Sequence, residues 1–185
     1  VLAGVGVSLP MSGILSACSD HPEHSLEFKN LISGLLKDWS DGMLKVQINN
    51  PSDLNVHGAL GCPSCSHIHG RCMDAVYPFL YMADTTGDQK YVEGAKLVML
   101  WAENNVSQES GAWTVIKNPK SWKGITVFGA IALAEALHYH GHVLDENTRK
   151  SWTNRLEKAG QYLYDTFTID FTNINYPGTA VYGLN

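Results

Sequence analysis

Residues 71–105 read "RCMDAVYPFLYMADTTGDQKYVEGAKLVMLWAENN", and this stretch carries the clearest structural pattern of the chain. Its first half is almost wholly apolar, whereas its second half carries apolar residues at helical spacing with charged residues between them. Between the halves, Gly87 is typical of a helix C-terminus and Asp88 of a helix N-cap. The pattern predicts a buried helix with a kink at Pro78, a tight turn and then an amphipathic helix.

The same order of segments returns further along the chain. An apolar run rich in Gly and Ala covers 123–141 and ends at Gly141, and an amphipathic segment follows at 145–167. A third apolar run begins at Tyr176, whereas the stretch from about 40 to 65 is irregular. Because strand-like alternation never exceeds the helical signal, we expect an all-α fold of helical hairpins, with apolar helices inside and amphipathic helices outside.

The bulk composition limits the class of protein. The chain has 185 residues, of which 44% are hydrophobic and 17% charged, and its formal net charge is -5. These values are typical of a globular domain with a sizeable core. A chain this acidic lacks the basic surface that nucleic-acid binding needs, so we expect no nucleic-acid partner.

The first 18 residues carry no charge and are rich in Val, Leu, Gly and Ser, as in the apolar core of a secretory signal. Residues 15–18 read "LSAC", which resembles a bacterial lipobox, although an ordinary buried apolar segment is the alternative. We expect a signal over 1–18 with Cys18 as the lipidated residue, a tether over 19–23 and a domain over 24–185. The protein would then be exported, as a periplasmic or outer-membrane-anchored lipoprotein of a Gram-negative bacterium, and would touch the membrane only through its lipid.

The sequence also resembles a known superfamily. The alternation of apolar and amphipathic helices looks like that of the six-hairpin (α/α)6 toroids, which include many bacterial glycoside hydrolases and polysaccharide lyases. The segments that carry this resemblance are "HGRCMDAVYPFLYMAD" (69–84) and, after it, "TGDQKYVEGAKLVMLW" (86–101). The stretch "NINYPGTAVYGL" (173–184) looks like the start of a pocket-lining helix in such proteins. The resemblance implies an incomplete (α/α) toroid, in which this sequence is the N-terminal part of a longer protein. We expect the sequence to stop where a third inner helix begins. It also implies a carbohydrate-active enzyme, hydrolase or lyase, that acts on a polysaccharide, with acidic ones among the candidates. The alternative is a non-catalytic glycan-binding or scaffold lipoprotein on the same helices.

The loop that enters the first apolar helix holds the candidate catalytic residues His67, His69, Arg71 and Asp74. Arg71 and Asp74 are three positions apart and share a helix face, so Arg71 could bind a uronate carboxylate while Asp74 acts as acid or base. For Asp74 we favour the alternative, a buried structural ion pair. His67 and His69 could transfer a proton, or they could bond to the loop backbone.

Three cysteines flank these residues. Cys62, Cys65 and Cys72, with His67 or His69, could form a zinc site of the Cys3His type. In an oxidising compartment, a disulfide or three unlinked thiols are equally compatible with the spacing. We favour the alternatives without metal, so no cofactor is expected and zinc stays the alternative.

Candidate substrate-binding residues precede or begin the second and third apolar helices. Trp122 could stack on a sugar ring and Lys123 could pair with an acidic sugar, although Trp122 could equally plug the space under a loop. Asn175 and Tyr176 are suited to a lyase, in which an amide neutralises a carboxylate and a phenol moves a proton.

A hydrolase would need two carboxylates placed about 5 to 10 Å apart. Asp74 is one candidate for such a catalytic carboxylate. Glu135 and Asp170 could supply the second carboxylate, although no sequence spacing supports either of them. The sequence therefore favours no particular hydrolase mechanism.

Overall fold

The structure is a computed structural model, and it describes residues 22–62, 67–173 and 175–184. The predicted lipidation site, Cys18, and one of the loop cysteines, Cys65, lie outside these residues. The chain divides into two units, Val1–Leu35 and Leu36–Asn185. The described part of the first unit is helical, and the second unit holds the candidate site.

The described residues form six α-helices and two short 3-10 helices. Strand structure is limited to two isolated bridges, and no described helix is both long and apolar enough to cross a membrane. The all-α fold class is therefore confirmed for this part of the chain. The helices are α1 (Pro22–Val46), α2 (Val76–Thr86), α3 (Gln89–Asn105), α4 (Thr126–His140), α5 (Glu146–Thr166) and α6 (Asn175–Leu184), with 3-10 helices at Gly70–Ala75 and Gly141–Val143.

The two apolar helices α2 and α4 lie at the centre of the packing. Helix α2 packs on α3 and α4, and α4 in turn packs on α5 and α6. Helices α3 and α5 each bury an apolar stripe, as their spacing predicted, whereas the helically spaced Leu26, Leu31, Leu35 and Trp39 of α1 are exposed. The buried residues of the α3 stripe are Tyr91, Ala95, Val98 and Ala102.

The turn between α2 and α3 has the predicted form. Gly87 adopts a left-handed conformation with φ 71°, and the Asp88 side chain accepts a hydrogen bond of 3.0 Å from the Lys90 backbone N–H. The second junction differs, because Gly141 is right-handed with φ -60° and continues into a 3-10 turn. Only then does Asp145 cap α5 through the Thr148 backbone N–H.

Two boundaries differ from the sequence-based expectation. Helix α1 continues to Val46, so the irregular stretch begins later than expected. Pro78 is the third residue of α2 and not a kink, because the N–H groups of a first helical turn have no partner within the helix. The residues before α2, Gly70–Ala75, form a 3-10 helix instead of the first turns of α2.

Candidate functional site

The loop that enters α2 is held against the segment before α4. The Gly70 backbone N–H donates a hydrogen bond of 2.6 Å to the Val115 carbonyl. A Cβ atom at Gly70 would lie 2.3 Å from the Thr114 carbonyl oxygen, so only glycine permits this approach. The close contact fixes the 3-10 helix, and with it Arg71, at one end of the α2–α4 pair.

Arg71 and Asp74 form the predicted ion pair on this 3-10 helix. The Arg71 Nε–H donates to Asp74 Oδ2, and the guanidinium carbon lies over the Phe128 ring, 4.4 Å from its centre. The Arg71 side chain is 45% exposed. Its two terminal nitrogens donate no hydrogen bond to any described residue. The guanidinium is therefore held in place by two contacts while part of its donor set remains available to a ligand.

Asp74 is the less solvated member of the pair. Burial raises the pKa of its carboxyl above the ordinary range, and the neighbouring Arg71 opposes this shift only in part. Its second oxygen, Oδ1, is buried without a hydrogen-bond partner among the described residues. This surrounding fits the structural ion pair that we favoured, and it also fits a carboxyl that takes up a proton readily.

Two grooves meet at the Arg71–Asp74 pair, and both residues line each groove. The first groove encloses about 410 Å³ and the second about 430 Å³. The pair thus forms the wall between two neighbouring cavities. The first groove is completed by Trp39, Met43, Leu60, Gly61, Cys62, His69, Cys72, Ala75 and Pro78, and the second by Tyr77, Phe128, Ile131, Ala132, Glu135 and Tyr182.

The two candidate histidines have different positions. His69 is half-buried and lines the first groove beside Arg71, and its carbonyl accepts a hydrogen bond from the Cys72 backbone N–H. His67 is exposed and lines neither groove, and its carbonyl accepts a hydrogen bond of 3.1 Å from the Cys62 backbone N–H. The structure therefore brings His69, Arg71 and Asp74 together and leaves His67 outside the grooves.

The cysteines of the loop are suited to packing. Cys72 is buried, and desolvation raises the pKa of its thiol to about 12. A buried, protonated thiol of this kind fits the alternative in which the cysteine packs within the loop. Within the described ranges, which omit Cys65, no three His, Cys, Asp or Glu side chains form a cluster that could hold a metal ion.

An aromatic cluster connects Arg71 with the predicted sugar-binding residues. Trp122 stacks on Phe171 at 5.6 Å between ring centres and meets the edge of Tyr176 at 5.7 Å. Tyr176 also contacts Phe128 at 5.8 Å, and Phe128 is the ring under Arg71. The Trp122 indole is nevertheless 43% exposed, so it fills space under the loop and also presents a surface to solvent.

None of the four predicted binding residues lines either groove, and Lys123 and Asn175 also lie outside the aromatic cluster. The Lys123 carbonyl accepts hydrogen bonds from the backbone and hydroxyl of Thr126, at the start of α4. Asn175 is exposed at the start of α6, where its carbonyl accepts a bond from the Thr179 hydroxyl. The contacts seen for both residues are thus backbone contacts at helix ends.

Three residues that the sequence did not single out as a group share the second groove: Tyr77, Glu135 and Tyr182. The Tyr182 hydroxyl donates to Glu135 Oε1 at 3.3 Å, and the charge of Glu135 raises the pKa of Tyr182. Burial, followed by the charge of Glu135, raises the pKa of Tyr77. The sequence offered one sign of this group, which is Glu135, the one acidic residue inside the apolar segment 123–141.

The helical hairpins and the charged pair shared by two grooves define a helical domain with an open, mainly apolar site that carries an ion pair at one end of its central helices. Residues 36–185 match the family model described as the ulvan lyase N-terminal domain, and the chain belongs to that family. A protein of Formosa agariphila named broad-specificity ulvan lyase is 78% identical over 184 residues. The match covers the whole of this chain but only 29% of that relative. No solved structure matches the chain.

Proposed function

We propose that this chain is part of a polysaccharide lyase that cleaves ulvan, an acidic polysaccharide. The name of the Formosa agariphila relative and the family match support the lyase class over the hydrolase class. The observation that carries the proposal in the geometry is the Arg71 guanidinium, held over Phe128 by Asp74 with its terminal nitrogens available between two grooves. An arginine held in this way suits the bidentate binding of a sugar carboxylate.

The reaction of such an enzyme is an elimination. A base removes the proton from the carbon beside the uronate carboxylate, and the electron pair forms a carbon–carbon double bond as the glycosidic C–O bond breaks. The departing oxygen takes up a proton from an acid, so the two products together keep every atom of the substrate. Neutralising the carboxylate makes that carbon more acidic, and this is the role that we assign to Arg71.

His69 and Tyr77 are the candidate groups for the proton transfers. His69 lines the first groove beside Arg71, and Tyr77 lines the second. Asp74 is a positioning residue, since one of its oxygens binds the Arg71 Nε–H and the other is buried. Trp122 and Tyr176, which join this site through Phe128, would extend the glycan contact.

The experiment uses the full-length protein with ulvan as substrate, and it follows the ultraviolet absorbance of the new double bond. We expect activity in the wild type, a loss of at least about 100-fold in Arg71→Ala, and only partial recovery in Arg71→Lys, which lacks the planar fork. Arg149→Ala, an exposed arginine of α5 outside both grooves, is the matched control. Glycan binding without turnover, unchanged by Arg71→Ala, would contradict the proposal and favour a non-catalytic glycan-binding protein.

Two further parts of the proposal concern the whole protein. We propose that the hairpins belong to an (α/α) toroid, supported by the contact of α4 with both α2 and α6. We also propose export as a lipoprotein anchored through Cys18 to the periplasmic side or outer membrane of a Gram-negative cell, supported by the uncharged segment 1–18. Incorporation of labelled palmitate that Cys18→Ser abolishes is the expected result, and unlabelled wild type would overturn it.

A further inference from the structure

Trp39 lies on α1 and lines the first groove, and most of its indole is exposed. Its exposed fraction is 69%, although it contributes to the lining of the same cavity as His69 and Arg71. An exposed aromatic ring beside polar side chains is the kind of surface on which a ring-shaped ligand can stack. The indole therefore offers a flat apolar face next to the charged pair.

The rest of the first groove explains what kind of ligand fits this face. The lining combines the apolar surface of Trp39 and Met43 with the polar groups of His69 and the Arg71–Asp74 pair. Sugar rings have an apolar face of C–H groups and a polar edge of hydroxyl groups, so they match a cavity with this division. A purely apolar ligand would leave the ion pair without compensation.

The two grooves follow one another across the pair. The second groove shares Arg71 and Asp74 with the first and is also lined by Glu135 and Tyr182, the latter 66% exposed. A linear polymer that places one carboxylate on Arg71 must extend its neighbouring sugars into the spaces on either side. The shared wall therefore suits a chain of sugars better than a single small molecule.

We propose that the first groove is a sugar subsite in which Trp39 stacks on the residue next to the one whose carboxylate Arg71 binds. This inference rests on the proposed function, because the ligand is the same acidic polysaccharide. It adds a binding residue, Trp39, and an extended glycan path across the Arg71–Asp74 wall. The occupant is an acidic polysaccharide chain, and the positive guanidinium between the grooves is the charge that it complements.

The test compares Trp39→Ala and Trp39→Phe in the full-length protein. We expect Trp39→Ala to raise KM for polymeric ulvan about tenfold with little change in kcat, because stacking on an adjacent sugar contributes to binding and not to bond cleavage. Trp39→Phe keeps an aromatic face and should recover much of the loss. Tyr164→Ala, which removes a 77% exposed aromatic of α5 outside both grooves, is the matched control and should leave KM unchanged.

A binding measurement separates this inference from the proposed lyase activity. Affinity electrophoresis in gels containing ulvan needs no turnover, so it reports on Trp39 even if the wild type cleaves nothing. Weaker retention of Trp39→Ala, at an unchanged melting temperature, supports the subsite. Two results would overturn the subsite. One is a Trp39→Ala variant whose retention and KM are both unchanged, and the other is a variant whose melting temperature falls while its KM is unchanged. In the second case Trp39 would serve packing against another part of the protein.

Discussion

Arg155 of α5 lies with its guanidinium carbon 3.8 Å from the centre of the buried Trp113 ring. Its Nε donates to Glu103 Oε1 and to the Ser107 hydroxyl, and its terminal nitrogens donate to the carbonyls of the turn before Trp113. Only 8% of Arg155 is exposed. One side chain thus joins α5 to the end of α3 and to the loop that leads towards α4. The accepting carbonyls belong to Gly111 and Ala112.

Replacing Arg155 should destabilise the fold strongly. Arg155→Ala removes the stacking on Trp113 and the donor to the buried Gly111 carbonyl, and it leaves Glu103 without its cation, so we expect a loss of about 3 kcal/mol in the free energy of unfolding. Urea denaturation followed by circular dichroism measures this. Arg155→Lys keeps the charge but not the fork, and it should recover less than half of the loss. A loss below about 0.5 kcal/mol in Arg155→Ala would show that water replaces these bonds.

The hairpins were predictable from the sequence because their signals are local. The apolar run of α2, the left-handed Gly87 and the Asp88 cap lie within one short stretch. The role of Arg155 was not predictable, since its partners lie more than 40 positions away, as the Gly111 carbonyl does at a separation of 44. The sequence near Arg155 held only one sign that this residue is buried. Arg155 follows Trp152 by three positions and so falls within the apolar stripe of α5.

Gly111 should tolerate no side chain. Its φ is 94°, and a Cβ atom there would lie 2.1 Å from the Lys158 carbonyl oxygen, so Gly111→Ala combines backbone strain with a clash. We expect a loss of about 2 to 4 kcal/mol in unfolding free energy. The matched substitution is Gly42→Ala in α1, where a Cβ atom would meet nothing within 4 Å and should stabilise the helix by about 0.5 to 1 kcal/mol. Equal effects in the two variants would contradict this assignment.

Asp84 should give the stability a dependence on acid. Hydrogen bonds from His140 Nδ1 at 2.8 Å and His142 Nε2 at 2.9 Å lower the pKa of Asp84 below its ordinary value of 3.8. A carboxyl with a lowered folded-state pKa contributes stability that is present above pH 3.8 and is lost as the pH falls through the folded-state value. The advantage of wild type over Asp84→Asn should therefore shrink below about pH 4.

Urea midpoints measured from pH 7 down to about pH 3 test this dependence, provided that the protein still folds reversibly. The exposed Asp170 makes a matched control, so wild type and Asp170→Asn should differ by an amount that does not change with pH. A difference between wild type and Asp84→Asn that stayed constant over the whole range would show that the two histidines do not stabilise the ionised carboxylate.

The candidate site was predictable only in part. The spacing of Arg71 and Asp74 on one helix face anticipated their ion pair, because that pair is local. The second groove depends on α4 and α6 approaching α2, and no pattern in Glu135 or Tyr182 indicates that approach. Trp39 shows the same limit, since a helical aromatic at an apolar position predicts burial, whereas the indole is mostly exposed.

Cys72 should be unreactive in the folded protein. Its thiol is buried and desolvation raises its pKa to about 12, so the thiolate that alkylating reagents attack is scarce at neutral pH. We expect iodoacetamide to modify Cys72 at least about 100-fold more slowly in buffer than in denaturant, as read by peptide mass spectrometry. A zinc chelator should not change the native rate, because the desolvated thiol is a poor metal ligand. Rapid alkylation of the native protein would show that Cys72 is a reactive thiolate. An alkylation rate that rises when chelator is added would show that Cys72 is a metal-bound thiolate. Either result would mean that Cys72 is not part of the packing that shapes the first groove.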